Sequence, residues 1–278
     1  MPRITEEDGR HSGSVMLVTG AASGIGRATA NRLAAEGATV VACDMAQDAL
    51  RAFERETVHP MDFQVVDITV PSAVDALAAH VLSAHTRLDA VANVAGVTDG
   101  FLSAHEMDDA TWSHVMAVNV DGPMRLTRAF LPSMMERGRG AVVNVSSEAG
   151  LRGGCAGAAY TASKHALIGL SKSVAWTYAK LGVRCNVVCP GSVATGMGAV
   201  RHSDWAGDRQ RPVHLPGGPV RGRRDHLVAG LRGGRQHQRS GPALRRRLVG
   251  SLNAPQAPTR RRRDAVRRSV SPLTHHDT

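Results

Sequence analysis

Residues 15–26 read Val15-Met16-Leu17-Val18-Thr19-Gly20-Ala21-Ala22-Ser23-Gly24-Ile25-Gly26. Four apolar residues and a threonine make a short strand, three glycines make a turn, and the Ala-rich run that follows has the period of an amphipathic helix. Glycine spacing alone is a weak signal, but a strand leading through it into a helix is the context a dinucleotide-binding turn needs. The glycines let the backbone approach a pyrophosphate, whose negative charge is favoured by the free N–H groups and dipole at the helix N-terminus. Gly20, Ser23, Gly24, Ile25 and Gly26 are therefore expected to cradle a dinucleotide; without that ligand they would form only a tight turn.

Outward from this turn, short β-branched runs alternate with longer Ala/Leu-rich segments as far as about residue 195. Strands are expected at Val15–Thr19, Thr39–Cys43, Phe63–Val66, Leu88–Asn93, Ala141–Ser146 and Val183–Cys189. Helices are expected at Ile25–Glu36, Ala46–Arg55, Pro71–Ala84, Ala110–Arg137 and Ala158–Leu181. Strands this uniformly apolar are covered on both faces, so the fold class is α/β: a Rossmann-type doubly wound parallel sheet in three αβα layers. Ligands of such sheets sit beyond the carboxyl ends of the strands, where Asp, Asn and Ser recur here. Asp44, at the end of the second strand, is placed to accept hydrogen bonds from adenosine ribose hydroxyls and to repel a 2′-phosphate. NAD is thus expected over NADP, and no Arg directly follows Asp44 to reverse that preference.

Composition sets the remaining limits. The chain has 278 residues, 42% of them hydrophobic and 3% aromatic, so a large core must be built from Ala, Val, Leu and Ile. The net charge of +10 is unevenly spread: residues 1–200 hold 16 Lys+Arg against 19 Asp+Glu, and residues 201–278 hold 18 against 5. That last stretch contains Arg but no Lys, one aromatic, nine Gly and seven Pro, with no helical or strand period; disorder is the expectation. Cys43, Cys155, Cys185 and Cys189 form no paired framework, which fits free thiols in a reducing compartment. Cys185 and Cys189 read as inert thiols rather than a metal pair, and no metal site is expected. The N-terminus lacks the apolar run of a secretory signal and no stretch matches a membrane span, so a cytoplasmic protein is expected, without membrane contact. The domain organisation expected is an extension at 1–14, a dinucleotide-binding and catalytic domain at 15–198, and an Arg-rich tail at 199–278.

With this turn, Asn93-Val94-Ala95-Gly96 and Tyr160-Thr161-Ala162-Ser163-Lys164 in that order, residues 15–197 resemble the short-chain dehydrogenase/reductase family. The resemblance implies an oxidoreductase whose catalytic set is Asn119, Ser147, Tyr160 and Lys164; Ser147 rather than Ser146 matches, lying thirteen residues before the tyrosine. It also implies that Asp67 and Ile68 contact adenine and that Asn93, Ala95 and Gly96 line the cofactor cleft. Pro190, Gly191, Val193 and Thr195 resemble the segment that meets the nicotinamide carboxamide, and Tyr160 and Lys164 themselves touch the cofactor. Partners implied are a small alcohol or ketone and further copies of the chain, as a dimer or tetramer.

The chemistry is consistent with those roles. Hydride transfer to a carbonyl carbon leaves charge on its oxygen, which must gain a proton as the charge develops. Tyr160 can supply it, and Lys164, four residues on along one helix, is expected to favour the phenolate. Ser147 can hydrogen-bond the substrate oxygen. Asn119 is poorly suited to a helix interior, and the family assigns it a water linking the lysine to solvent. Outside this context, a Tyr and a Lys four apart would be an ordinary surface pair.

The likeness ends after the Pro-Gly segment. Two readings of the tail stand: a basic segment that binds nucleic acid or anionic surfaces, and the product of a shifted reading frame. In the second, Gln236–Leu244 (QHQRSGPAL) can be encoded by codons that read NINGAVLP one base later, resembling the family's final strand. Residues 225–231 and 245–252 can be treated similarly, which places the shift between about Thr195 and Pro216. The small residues of Leu151–Ala159 suggest room for a bulky substrate. Three functions follow: an alcohol dehydrogenase or ketone reductase, a nucleotide-binding relative without turnover, and a nucleic-acid binder resting on the tail alone.

Overall fold

The computed structural model describes residues 9–193, Thr195 and Met197. The tail at 199–278, with both readings of it, and residues 1–8 of the extension lie outside the described residues.

Within them, strands and helices alternate: β1 (Val15–Thr19), α1 (Gly24–Ala35), β2 (Thr39–Asp44), α2 (Gln47–Glu56), β3 (Asp62–Val65), α3 (Pro71–His85), β4 (Ala90–Asn93), α4 (Asp109–Met116), α5 (Gly122–Glu136), β5 (Gly140–Val145), α6 (Ala158–Tyr178) and β6 (Val183–Val188). All pairings are parallel and the strand order is β3-β2-β1-β4-β5-β6. Order reverses between β1 and β4, so the carboxyl ends of those strands open the crevice where such sheets bind nucleotides.

Alternation along the strands explains the three layers. Met16 and Val18 point to one face with Val40, Ala42 and Val143, against Ala30 and Leu33 of α1 and Leu50 and Phe53 of α2. Val15 and Leu17 point to the other with Val41, Val91 and Val142, against Leu77 and Val81 of α3 and Phe130 and Met134 of α5. Both faces being apolar, the strands read as continuous hydrophobic runs.

Within the N-terminal extension, His11 is buried, its N–H bonds the Glu36 carbonyl at 2.9 Å, and its imidazole lies 3.4 Å from the Glu36 carboxylate. One expectation needs correction. The helix expected over Ala110–Arg137 is interrupted, because Ala117–Asp121 form a π-helical turn between α4 and α5 in which Gly122 N donates to Ala117 O. Proline explains where the break falls. Pro123 has no N–H, so it cannot make the ordinary bond to the carbonyl of Asn119 four residues before it.

Candidate active site

The glycine turn meets the β4 exit at van der Waals distance. Gly20 has φ +66°, and a Cβ there would stand 2.9 Å from the Ala95 backbone; one on Gly26 would be 2.0 Å from the Gly20 carbonyl oxygen. Neither position admits a side chain. Thr19, which carries no role in the sequence reading, locks the same contact: its Oγ1 accepts from Val94 N at 3.0 Å and Ala95 N at 3.1 Å. Ser23 is the N-cap of α1 without using its side chain to cap it, so the first N–H groups of the helix depend on another acceptor.

Asp44 closes the turn from the β2 side, accepting from Ala22 N and Ala46 N, each at 3.0 Å. Arg27 is directed elsewhere, its guanidinium 4.7 Å over the Phe53 ring and paired with Glu56. At the β3 exit, Asp67 Oδ1 accepts from Thr69 N and Thr69 Oγ1, while the buried Ile68 packs under Gly122. Asn93 is 1% exposed with its amide turned into the sheet, donating to Asn144 Oδ1 at 2.8 Å; its backbone, not its side chain, borders the cleft. Past β6, the Pro190 carbonyl accepts from Glu148 N at 2.8 Å, tying the β5 and β6 exits together. Gly191 and the half-buried Val193 continue this segment toward Thr195. Thr195 reaches the turn, its Cβ lying 3.1 Å from where a Gly24 Cβ would stand.

Asn119, Ser147, Tyr160 and Lys164 converge beside this cleft. Ser147 follows β5 and caps the short 3₁₀ turn Glu148–Gly150 through Ala149 N, at 3.1 Å, while also sharing a hydrogen bond with the Tyr160 phenol. Tyr160 and Lys164 stand one turn apart near the start of α6. The lysine is buried, donates from Nζ to the Val145 carbonyl at 3.0 Å, and lies 5.4 Å from the centre of the tyrosine ring. Asn119 is fully buried; its Oδ1 accepts from Val97 N at 2.9 Å and its Nδ2 donates to Val97 O and Ser163 Oγ, both at 3.0 Å. A Cβ on Gly96 would lie 3.2 Å from Asn119 Oδ1 and 3.3 Å from Lys164 Nζ, so glycine keeps open the space those two groups face.

The electrostatics depart from expectation. Tyr160 is held above the ordinary phenol range, chiefly by burial and further by the charge of Asp99, against the opposing Ser147 hydrogen bond. In the protein alone, therefore, burial favours the phenol over the phenolate, and the Lys164 ammonium is bonded to the Val145 carbonyl. Burial also lowers the Lys164 pKa to about 8.

Asp99, like Thr19, escaped the sequence reading, and Cys189 was read there only as an inert thiol. Asp99, 3% exposed, accepts from Tyr160 N at 2.9 Å and Phe101 N at 3.2 Å and so seats the first turn of α6. The spacing of Asp99 from Tyr160 gave no sign of this. Cys189 enters the site floor, in contact with Ser146, Ser147 N and the Lys164 charge; burial pushes its pKa up despite all three, and burial pushes the Cys185 thiol up to about 12. Neither thiol is activated.

Comparison with known proteins places these features together. The family model for short chain dehydrogenases matches residues 14–205. A short-chain dehydrogenase/reductase of Penicillium canescens, olcF, is 45% identical over 184 residues, covering 66% of this chain and 70% of its own. The 3beta-hydroxysteroid dehydrogenase 2 of Eggerthella lenta is 38% identical over 191 residues, covering 67% of this chain and 74% of its own. Among solved structures, a metagenomic short-chain oxidoreductase in complex with NADP superposes with a TM-score of 0.62 at 42% identity, over 66% of this chain and 84% of the other.

Proposed function

The chain belongs to the short-chain dehydrogenase family, and on that premise we propose that it interconverts a secondary alcohol and a ketone by hydride transfer, with Tyr160 as general acid and base. The observation that carries this reading is the convergence of Tyr160, hydrogen-bonded to Ser147, with the buried Lys164 beside the glycine turn. A nicotinamide cofactor, when bound, supplies or accepts the hydride. The uncapped α1 N-terminus and close-packed Gly20 and Gly26 fit its pyrophosphate; Asp44 fits its adenosine ribose and favours NAD, while Lys164 would hold the nicotinamide ribose.

In the reducing direction the protonated phenol of Tyr160 donates to the carbonyl oxygen as charge develops there, and Ser147 steadies that oxygen by a hydrogen bond. In the oxidising direction Tyr160 removes the hydroxyl proton. Replenishment runs past Lys164 toward Asn119. The Asn119 amide already serves Val97 and Ser163 through both its nitrogen and its oxygen. The relaying water is assigned to the Asn119 backbone carbonyl, to which Pro123, having no N–H, cannot bond. The small, exposed stretch Gly153–Gly154 and exposed Leu151 between Ser147 and Tyr160 support a substrate with an apolar body.

The test is a cofactor-linked assay across secondary alcohols and ketones, alicyclic and steroidal ones included, with NAD and NADP in parallel because a 42% identical structure holds NADP. Wild type should turn over, with a preference for NAD, and Tyr160→Phe should lose a factor of about 10²–10⁴ in kcat while binding cofactor unchanged. Full activity in Tyr160→Phe would remove the mechanism.

A further inference from the structure

Away from the cleft, Asp62, His80 and His85 bring two imidazole nitrogens and a carboxylate oxygen within 4.8 Å of one another. We propose that these three side chains form a binding site for one divalent transition-metal ion, with zinc the best match, at the edge of the sheet. Their spacing gave no metal motif in the sequence, since the ligands come from different elements and their meeting depends on how α3 packs against β3.

The three donor atoms converge closely. His80 Nε2 and His85 Nε2 both lie 2.8 Å from the same oxygen, Asp62 Oδ2. Gln64 Nε2 lies 3.0 Å from His80 Nε2 and also contacts Asp62 Oδ1. Without an ion, both imidazoles can donate to Oδ2 and the Gln64 amide to Oδ1. With the protons on Nδ1 instead, both Nε2 lone pairs and Oδ2 can face one cation, while the Gln64 N–H stays on Oδ1 as an outer support of the kind metal-bound carboxylates have.

The donor set and access agree. Two neutral imidazoles and one carboxylate suit zinc, which would take a water as its fourth ligand. Tetrahedral zinc at the usual bond lengths separates its ligand atoms by about 3.3 Å, so the 2.8 Å contacts need open by about half an ångström, and any wider separation, none above 4.8 Å, need close by at most about 1.5 Å. The His80 side chain is 42% exposed and those of Asp62 and His85 are each 19% exposed, leaving a path for the ion and its water.

Placement indicates what the ion does. β3 is the edge strand, four residues long, and Asp62 pairs at Val41, three residues before Asp44 and so about 10 Å short of the nucleotide-binding end. His80 and His85 lie in the last two turns of α3. A bound ion would therefore tie the edge strand to α3 without taking part in hydride transfer.

The full chain, dialysed against zinc sulfate and then buffer, should retain one more zinc per chain than His85→Ala or His80→Gln, and cobalt should give a visible tetrahedral band that both variants lose. Asp62→Asn should weaken zinc binding by at least about tenfold. Zinc should raise the wild-type Tm by several degrees and leave both histidine variants unmoved. Cofactor affinity should be the same in all four proteins. The comparison among variants is essential because the chain has 13 His and 4 Cys. No retained zinc in wild type, or equal zinc and equal Tm shifts in the histidine variants, would overturn the site.

Discussion

Burial of Lys164 carries a stability cost that its role explains. Its folded pKa of about 8 lies below the unfolded value near 10.5, so between those values the unfolded chain binds more protons and this group makes stability rise with pH. Below about pH 8 the full cost applies, roughly 3 kcal/mol at 1.36 kcal/mol per pH unit, partly offset by the bond to Val145. Lys164→Met, of similar length and uncharged, should therefore raise the Tm at pH 7 by a few degrees and flatten the rise in stability between pH 8 and 10.5, while dehydrogenase activity falls. Scanning calorimetry across that range checks it. A lower Tm with an unchanged pH slope would mean that the ammonium is a net stabiliser. The glycines were legible from residue type and spacing, and Tyr160 and Lys164 were singled out only through the family resemblance. The raised pKa of Tyr160 was not legible, since it comes chiefly from burial, and further from Asp99, which lies 61 positions earlier.

At the level of elements, the break between α4 and α5 is the informative departure. The long amphipathic pattern over 110–137 reads as one helix because a π turn adds a single residue and disturbs the apolar period only slightly. Pro123 was the signal present in the sequence, four residues after Asn119. Pro123→Ala would restore an N–H able to bond the Asn119 carbonyl and should draw Ala117–Asp121 toward regular α-helix. The expected result is an unchanged or higher Tm together with a several-fold lower kcat, measured with the KM for cofactor held as a control. Unaltered kcat would show that the carbonyl has no part in proton transfer. α3 illustrates the opposite case: the sequence expectation ended it at Ala84, the structure at His85, and that final residue is one of the proposed metal ligands.

For the whole molecule, the parallel order β3-β2-β1-β4-β5-β6 assembles every cleft segment on one side of the sheet. No helix among the described residues is long and apolar enough to cross a membrane. The family match stops at residue 205, inside the interval from about Thr195 to Pro216 that the shifted-frame reading of the tail names. On that reading, mass spectrometry of the protein from its native source should find NINGAVLP-containing peptides in place of Gln236–Leu244. Recovery of the written Arg-rich peptides would establish the tail as genuine, and salt-dependent nucleic-acid binding would then be the property to measure.

The sequence by itself determined the alternation of strand and helix and the glycine turn, because backbone conformation and apolar period are local properties; the Asn-Ser-Tyr-Lys set was read only through the resemblance to the family. Only the tertiary structure decided that His11 is buried against Glu36, that the Asn93 amide points into the sheet, that Cys189 lies beside Ser147 and Lys164, and that Asp62 meets His80 and His85. Each of those depends on desolvation or contact between segments distant in the chain, where the energy comes from packing geometry and not from any pattern that neighbouring residues display.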